Sequence, residues 1–413
     1  MAKSKKTLQS DLEKFKVEAR NPIHTFHRYF GKLIPAIPAF AIENYSSEGD
    51  YVLDPFSGSG TTVVEAHERN RIGVGVDLNP LASLVAKVKT TYISETSLNK
   101  TFAKIMDFYE SDKRKEKLID PYVVNMDHWY RPEVKQDLLY LQKAIISESK
   151  GKEKDFFIAV FSAFMRGVSN ADPMHVFPGY SKRMRRLDEE GRKIDVKASY
   201  VRAVKKRILQ VSKLRKDSPS PLLFTNSFTS EKLNIDKKIN LVVTNPPYIS
   251  SIRYLETMKL EMGWLGFFDS QKGYLDLDKS VIGTERFYKA EIEEIGLVGY
   301  KKIDDQIQAL RNDNPKMAKT VYEYFKQMEM VIKRVSTLVV PGGHFVIKIS
   351  DSKVRTELIA THAHFIDICA KNGFKLLVDM IDEFDPNSRS LLTSRNSYSG
   401  IMTFDHVMIF QKK

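Results

Sequence analysis

Tyr51-Val52-Leu53-Asp54-Pro55-Phe56-Ser57-Gly58-Ser59-Gly60-Thr61-Thr62 runs from a short apolar strand through a glycine turn into a helical pattern. Tyr51 to Leu53 reads as the strand. Thr61 to Arg69 reads as the helix, with Thr61 or Thr62 near its N-cap. Ile72 to Val76 is a second strand ending in Asp77, and Leu81 to Lys87 opens a second helix. Strand, helix, strand, helix in about forty residues is a βαβ unit, so this half of the chain predicts an α/β protein with a parallel sheet.

The same turn bears on ligand chemistry. Glycine admits close backbone approach and positive φ. A helix N-terminus offers unpaired N–H groups. Asp77, at the end of the next strand, is placed to accept from ribose hydroxyls. Val63 stands where a dinucleotide fingerprint needs its third glycine, and no lysine follows Gly60 as a phosphate-binding loop requires. Asp54 carries a negative charge where pyrophosphate would have to approach. It suits a nucleoside cofactor with a positively charged amino-acid end, as in S-adenosyl-L-methionine (SAM). The alternative is a turn that merely packs helix on strand.

A second turn follows another apolar run. Ile239-Asn240-Leu241-Val242-Val243 leads into Thr244-Asn245-Pro246-Pro247-Tyr248. An exocyclic base amine is a poor nucleophile because its lone pair is delocalised into the ring. The Asn245 side-chain oxygen and the Pro246 carbonyl can accept its two hydrogens, and Pro246 and Pro247 stiffen the turn beforehand. Tyr248 can stack on a base flipped from a duplex. A surface loop is the alternative. Strand ends of one parallel sheet converge on one crevice, so the two turns are expected to face each other.

At these residues the chain resembles the DNA amino-methyltransferases, which make N6-methyladenine or N4-methylcytosine. Asp54 to Thr62 is similar to that family's cofactor motif, and Asn245 to Tyr248 to its catalytic motif. His27-Arg28-Tyr29-Phe30-Gly31-Lys32-Leu33-Ile34-Pro35 resembles the segment that encloses the methionine end of SAM. The resemblance implies a Rossmann-like SAM-dependent methyltransferase sheet with helices on both faces. It also implies a cofactor site drawn from Lys32, Asp54, Phe56, Gly58, Ser59, Gly60, Thr61, Asp77 and Asn226, and no metal. Asn226 or Ser227 stands where the family often has an acid facing the adenine of SAM. Asn245 leans toward adenine N6 as the target. The Asp-Pro-Phe-x-Gly-Ser-Gly wording and the segment from Ile249 to Gly266 also resemble cytosine-N4 members. The same catalytic motif occurs in enzymes acting on RNA guanine or protein glutamine, and a non-catalytic DNA-binding relative of this fold is a further alternative.

Composition narrows the partners. Over 413 residues, 65 Lys+Arg against 52 Asp+Glu give a net charge of +13, which suits a polyanion such as double-stranded DNA. The single Cys369 excludes an intrachain disulfide and a cysteine-rich zinc site, and reads as a buried core thiol. No Pro-Cys dipeptide occurs, which counts against methylation of a ring carbon through a thiolate. His27 and His175 have no partner at metal-ligand spacing. With no signal core and no apolar run of spanning length, the expectation is a cytoplasmic protein that stays off membranes. A cognate restriction endonuclease is a conceivable partner.

The organisation expected along the chain has five parts. Residues 1–95 form the cofactor half. Residues 96–215 form a mostly helical insertion with the basic clusters Lys182-Arg183-Met184-Arg185-Arg186 and Lys205-Lys206-Arg207. Residues 216–250 carry the catalytic turn. Residues 251–320 form an irregular insertion whose Arg253, Tyr254, Trp264, Arg286 and Tyr288 are candidates for base reading or wedging. Residues 321–413 complete the sheet. There Val321 to Val335 and His362 to Lys371 are helices and His344 to Ile349 a strand. Lys375 to Met380 and His406 to Phe410 should close the sheet as an antiparallel pair.

Overall fold

Successive side chains of a strand face opposite sides of its sheet. In the computed structural model this alternation runs through the whole sheet. Val52, Leu241, Val243, Val346, Val407 and Ile409 fill one core. Their neighbours Leu53, Val242, Phe345, Ile347, Met408 and Phe410 fill another on the opposite side. The structure describes residues 5–18, 21–111, 118, 120–249, 253–355, 357–383 and 404–413.

The strands are β1 (Tyr51–Asp54), β2 (Ile72–Asp77), β3 (Leu222–Thr225), β4 (Ile239–Thr244), β5 (Val339–Ile349), the small hairpin β6 (Ser352–Val354) and β7 (Glu357–Ile359), β8 (Phe374–Glu383) and β9 (Phe404–Lys412). Seven of them form one sheet in the order β3-β2-β1-β4-β5-β9-β8. The first five are mutually parallel, with Val52 opposite Leu241 and Asp54 opposite Gly75. β9 runs antiparallel to both β5 and β8, as expected for the closing pair. The chain direction across the sheet reverses between β1 and β4, and ligands of such sheets bind outside the carboxyl ends of the strands at that point.

The helices are α1 (Lys5–Glu18), α2 (Ala36–Tyr45), α3 (Thr61–Glu68), α4 (Pro80–Lys89), α5 (Glu95–Glu110), α6 (Met126–Trp129), α7 (Pro132–Glu148), α8 (Gly151–Met165), α9 (Lys182–Glu189), α10 (Val196–Val211), α11 (Lys259–Trp264), α12 (Gln271–Lys279), α13 (Lys289–Glu293), α14 (Lys301–Asp313), α15 (Pro315–Leu338) and α16 (Thr361–Lys371). α1 and α2 cover one face through Leu8, Leu12, Ile37 and Phe40. α15 and α16 cover the other through Tyr324, Phe325, Phe365 and the buried Cys369 thiol. A third core joins α4, α5, α7, α8 and α10 around Phe156, Phe157, Phe161 and Tyr200. Each such buried aromatic contributes roughly 1.5–3 kcal/mol relative to exposure.

Two expectations need correcting. Residues 251–320 are not irregular: α11 to α14 lie there. Their apolar residues divide between cores, Leu260 to Tyr274 joining the helical one and Ile282 to Leu310 the sheet face, so no single stripe marks a helix in the sequence. The helix expected from Val321 starts at Pro315, with Asn314 capping it through Met317 N. Thr61 and Thr62 open α3 beside its cap, as expected. Gly60 takes the cap position, and the Thr62 hydroxyl turns inward to Asp54. Among the described residues, no helix is long and apolar enough to cross a membrane.

Candidate active site

β1, β2, β3 and β4 end side by side at Asp54, Asp77, Thr225 and Thr244. The chain turns just beyond them enclose a cleft of about 900 Å³, its solvent mouth included. Of the residues singled out in the sequence, Lys32, Asp54, Phe56, Gly58, Ser59, Thr61, Asp77, Asn226, Asn245 and Pro247 line it. Gly60, Pro246 and Tyr248 do not. The two turns thus meet across one cavity, as the topology requires.

The glycine turn is held by its own backbone and by Asp77. Ser57 N donates to Val76 O, Gly60 N to Ser57 O, and Gly58 N to Asp77 Oδ2 at 2.8 Å. Gly58 and Gly60 have φ of +48° and +77°, a region costly to any residue with a Cβ. A Cβ on Gly60 would come within 2.6 Å of the Ala86 Cβ, so glycine lets α3 and α4 pack closely. A Cβ on Gly58 would press the Tyr29 ring at 3.0 Å. No side chain caps α3, which leaves its first N–H groups and positive dipole end beside the cleft.

Asp54 links the two turns. Its Oδ1 accepts from Thr244 Oγ1 at 2.8 Å and from Phe56 N at 3.1 Å, and its Oδ2 from Thr62 Oγ1 at 2.8 Å. Burial pushes its carboxyl up to about 6 against these hydrogen bonds, and the neighbouring Asp77 charge adds to the rise. Asp77 is likewise pushed up to about 6 by burial, opposed by the N–H groups of Asn79 and Gly58. An unpaired carboxylate in such surroundings is best relieved by a ligand bringing positive charge or hydroxyl donors.

The Asn245 turn is oriented from both sides. Asn245 Nδ2 donates to Gly31 O at 3.3 Å, and Tyr248 OH donates to Asn245 Oδ1 at 3.0 Å. The Tyr248 ring packs toward the sheet core, and the aromatic rings on the cleft wall are those of Tyr29, Phe56, Phe228 and Tyr254. Asn226 N donates to Asp77 O, and its side-chain oxygen accepts from Ser227 N. Lys32 donates to the carbonyls of His24 and His27. Beside it Lys89, donating to Ser59 O, is pushed down to about 7, first by burial and then by the Lys32 charge.

Tyr29, from the segment expected around the methionine end of SAM, and Tyr254, a base-reading candidate, both line the wall. Sequence reasoning missed Thr244, whose hydroxyl bonds Asp54, and Asn79, which caps α4. The Asn-Pro pair at 79–80 was a cap signal. Trp264, a candidate wedge, is fully buried. Arg286 is paired with Asp278. Arg207 donates to Phe26 O and Ala203 O, so it braces the fold and is not a phosphate contact. At the carboxyl end of β5, Asp351, His362 and His406 bring three donor atoms within 4.8 Å of one another. His362 and His406 stack at 3.8 Å and are held by Asp351 and Asp379; no spacing in the sequence signalled this group.

A five-strand parallel run closed by an antiparallel pair, with an acid ending β1 and another ending β2 beside an uncapped helix, is the Rossmann-like α/β layout expected of a SAM-dependent methyltransferase. Residues 6–88 match a family model described as DNA methylase, the model grouping the N6 and N4 enzymes. The chain is 23% identical over 400 residues to the Type II methyltransferase M.MvaI of Kocuria varians, covering 91% of this chain and 86% of that protein. It is 22% identical over 287 residues to M.BsoBI of Geobacillus stearothermophilus, covering 63% and 56%. Over 115 residues it is 35% identical to M.MjaII of Methanocaldococcus jannaschii, covering 25% and 22%. The chain is thus similar over most of its length to a Type II methyltransferase, and over residues 6–88 to the model of the N6 and N4 DNA methylases.

Proposed function

We propose that this protein methylates the exocyclic amine of a base flipped out of double-stranded DNA, at adenine N6, by direct in-line displacement. The observation that carries the reading is the Asn245 amide, fixed at both ends on the wall of a cleft shared with the glycine turn. Gly31 O fixes the amide's nitrogen side, which turns the oxygen toward Tyr248. That oxygen has a second lone pair and can accept from the target amine.

The uncapped start of α3, Asp77 and Asp54 fit a cofactor with ribose hydroxyls and a cationic end. SAM, when bound, supplies an electrophilic methyl on a positively charged sulfur. The chain's own residues do the rest. Asn245 Oδ1 and the Pro246 carbonyl draw the two amine hydrogens aside, which frees the nitrogen lone pair. Tyr254 and Phe56 offer faces for the base. Held so, the amine nitrogen would face the methyl that the cofactor supplies, and the methylated amine would shed one proton to solvent. Positioning carries most of the rate. Asp54, tied to Thr62, Thr244 and Phe56 N, keeps donor and acceptor turns in register.

Asn245 favours adenine. Cytosine N4 presents the same two hydrogens, and the Asp-Pro-Phe-x-Gly-Ser-Gly turn favours that base as the second reading. Methylation of plasmid DNA with labelled SAM, followed by nucleoside mass spectrometry, tests both. N6-methyladenine is expected. N4-methylcytosine replaces the base assignment, and label absent from DNA sinks the proposal.

A further inference from the structure

We propose that the loop 172–181 enters the duplex, with Met174 and Phe177 filling the gap that a flipped base leaves in the stack. The inference rests on the DNA amine-methylation reading above. Met174 is 75% exposed and Phe177 37%, two large apolar side chains on one turn. Exposed apolar side chains are ordinary when scattered singly, but here the fold spends many bonds on presenting two on one turn.

The buried Asp172 carboxylate accepts from Ser181 Oγ at 2.6 Å, from Arg183 Nε and Nη2 at 3.1 and 2.6 Å, and from Met174 N at 2.9 Å. Asp172 N donates to Gly179 O, and His175 N to Asp172 O. Arg28 and Arg166 donate to the carbonyls of His175 and Val176, at 2.5 and 3.2 Å. The loop is therefore a preformed projection, and little ordering entropy remains to be lost on insertion.

Its place decides what it inserts into. Arg28, bonded to His175 O, immediately precedes Tyr29 on the cleft wall. The Arg253 guanidinium lies 5.8 Å from the Phe177 ring centre, and the next residue, Tyr254, is also on the wall. The projection is thus tied twice to the rim of the cleft that would receive the base. Lys182 and Arg185, exposed on α9 just behind it, supply positive charge for the flanking phosphates. Extruding a base costs a few kcal/mol of stacking, and an apolar wedge between base steps offsets part of that loss.

The test uses the full chain with both Met174→Ala and Phe177→Ala, and plasmid DNA either as duplex or heat-denatured to single strands. The double variant should keep its SAM affinity by calorimetry. It should lose about tenfold or more in label transfer to duplex, the worth of a stacking contact, and much less on single strands, where no stack needs filling. In a Phe177→Trp variant, emission should be quenched by added duplex beyond the wild-type change. Duplex methylation by the double variant within about twofold of wild type overturns the wedge. So does an equal loss on both substrates, or no quenching. Wild type that labels no DNA at all overturns the functional reading itself, and the wedge with it.

Discussion

At the scale of single residues, the site turns on two carboxylates and one amide. Asn245→Ala removes the proposed amine acceptor and leaves the glycine turn intact. Methylation should fall by at least about 10³-fold, in line with removing a preorganised polar contact to the reacting group, while SAM affinity stays within about twofold. Retained turnover in a radiolabel assay would remove Asn245 from its role. Asp54 and Asp77 give a pH signature. Their folded pKa values of about 6 lie above the ordinary carboxylate range. Between about pH 4 and 6 the folded protein therefore binds protons that the unfolded chain has released. Stability without cofactor should fall as pH rises across that window. SAM, which favours the ionised carboxylates, should bind more tightly as pH rises through about 6 and level off above it. Calorimetry from pH 5 to 8 checks this, and a flat affinity profile would detach both acids from the cofactor.

At the scale of elements, legibility followed periodicity. β1, α3, β2 and α4 were readable because strand, glycine turn and helix follow in order, and the two motifs lie just past buried strands. β3 was not. Leu222 to Thr225 is a short, half-exposed sheet-edge strand with no alternation to read. α11 and α12 were hidden because the segment contributes to two cores, and Trp264, taken as a candidate base reader, is buried. Tyr29 and Tyr254 stood in segments the sequence singled out, but their meeting on one cleft wall follows from long-range packing, which single-sequence pattern cannot supply. The α3–α4 junction yields an element-scale prediction. Gly60→Ala adds a Cβ at positive φ that would sit 2.6 Å from the Ala86 Cβ. The combined backbone and overpacking cost should be about 2–5 kcal/mol, seen as a lower thermal midpoint. Gly167→Ala, with open space around it and no positive φ, should leave the midpoint almost unchanged. Equal midpoints for the two variants would show that the close helix approach is not needed.

At the scale of the whole molecule, charge and topology act together. The net +13 is a property of composition alone, and the fold decides which cations are free to use it. Arg207 is spent on backbone carbonyls, Arg183 on Asp172 and Arg286 on Asp278, so a count of basic residues overstates the DNA-facing charge. Lys182 and Arg185 stand exposed on α9, beside the projecting loop. If they neutralise phosphates, duplex affinity must fall with salt as condensed counterions are released. The logarithmic slope is then about −0.9 for each contact. Replacing both by alanine should flatten that slope by about 2 and weaken binding to unrelated DNA sequences to the same degree, because phosphate contacts carry no sequence information. SAM affinity, set at the strand ends, should not move. Fluorescence titration of labelled duplex from about 50 to 200 mM salt measures the slope. A double variant with the wild-type slope would shift the phosphate contacts to other cations, and the α9 face would then be a solvated surface.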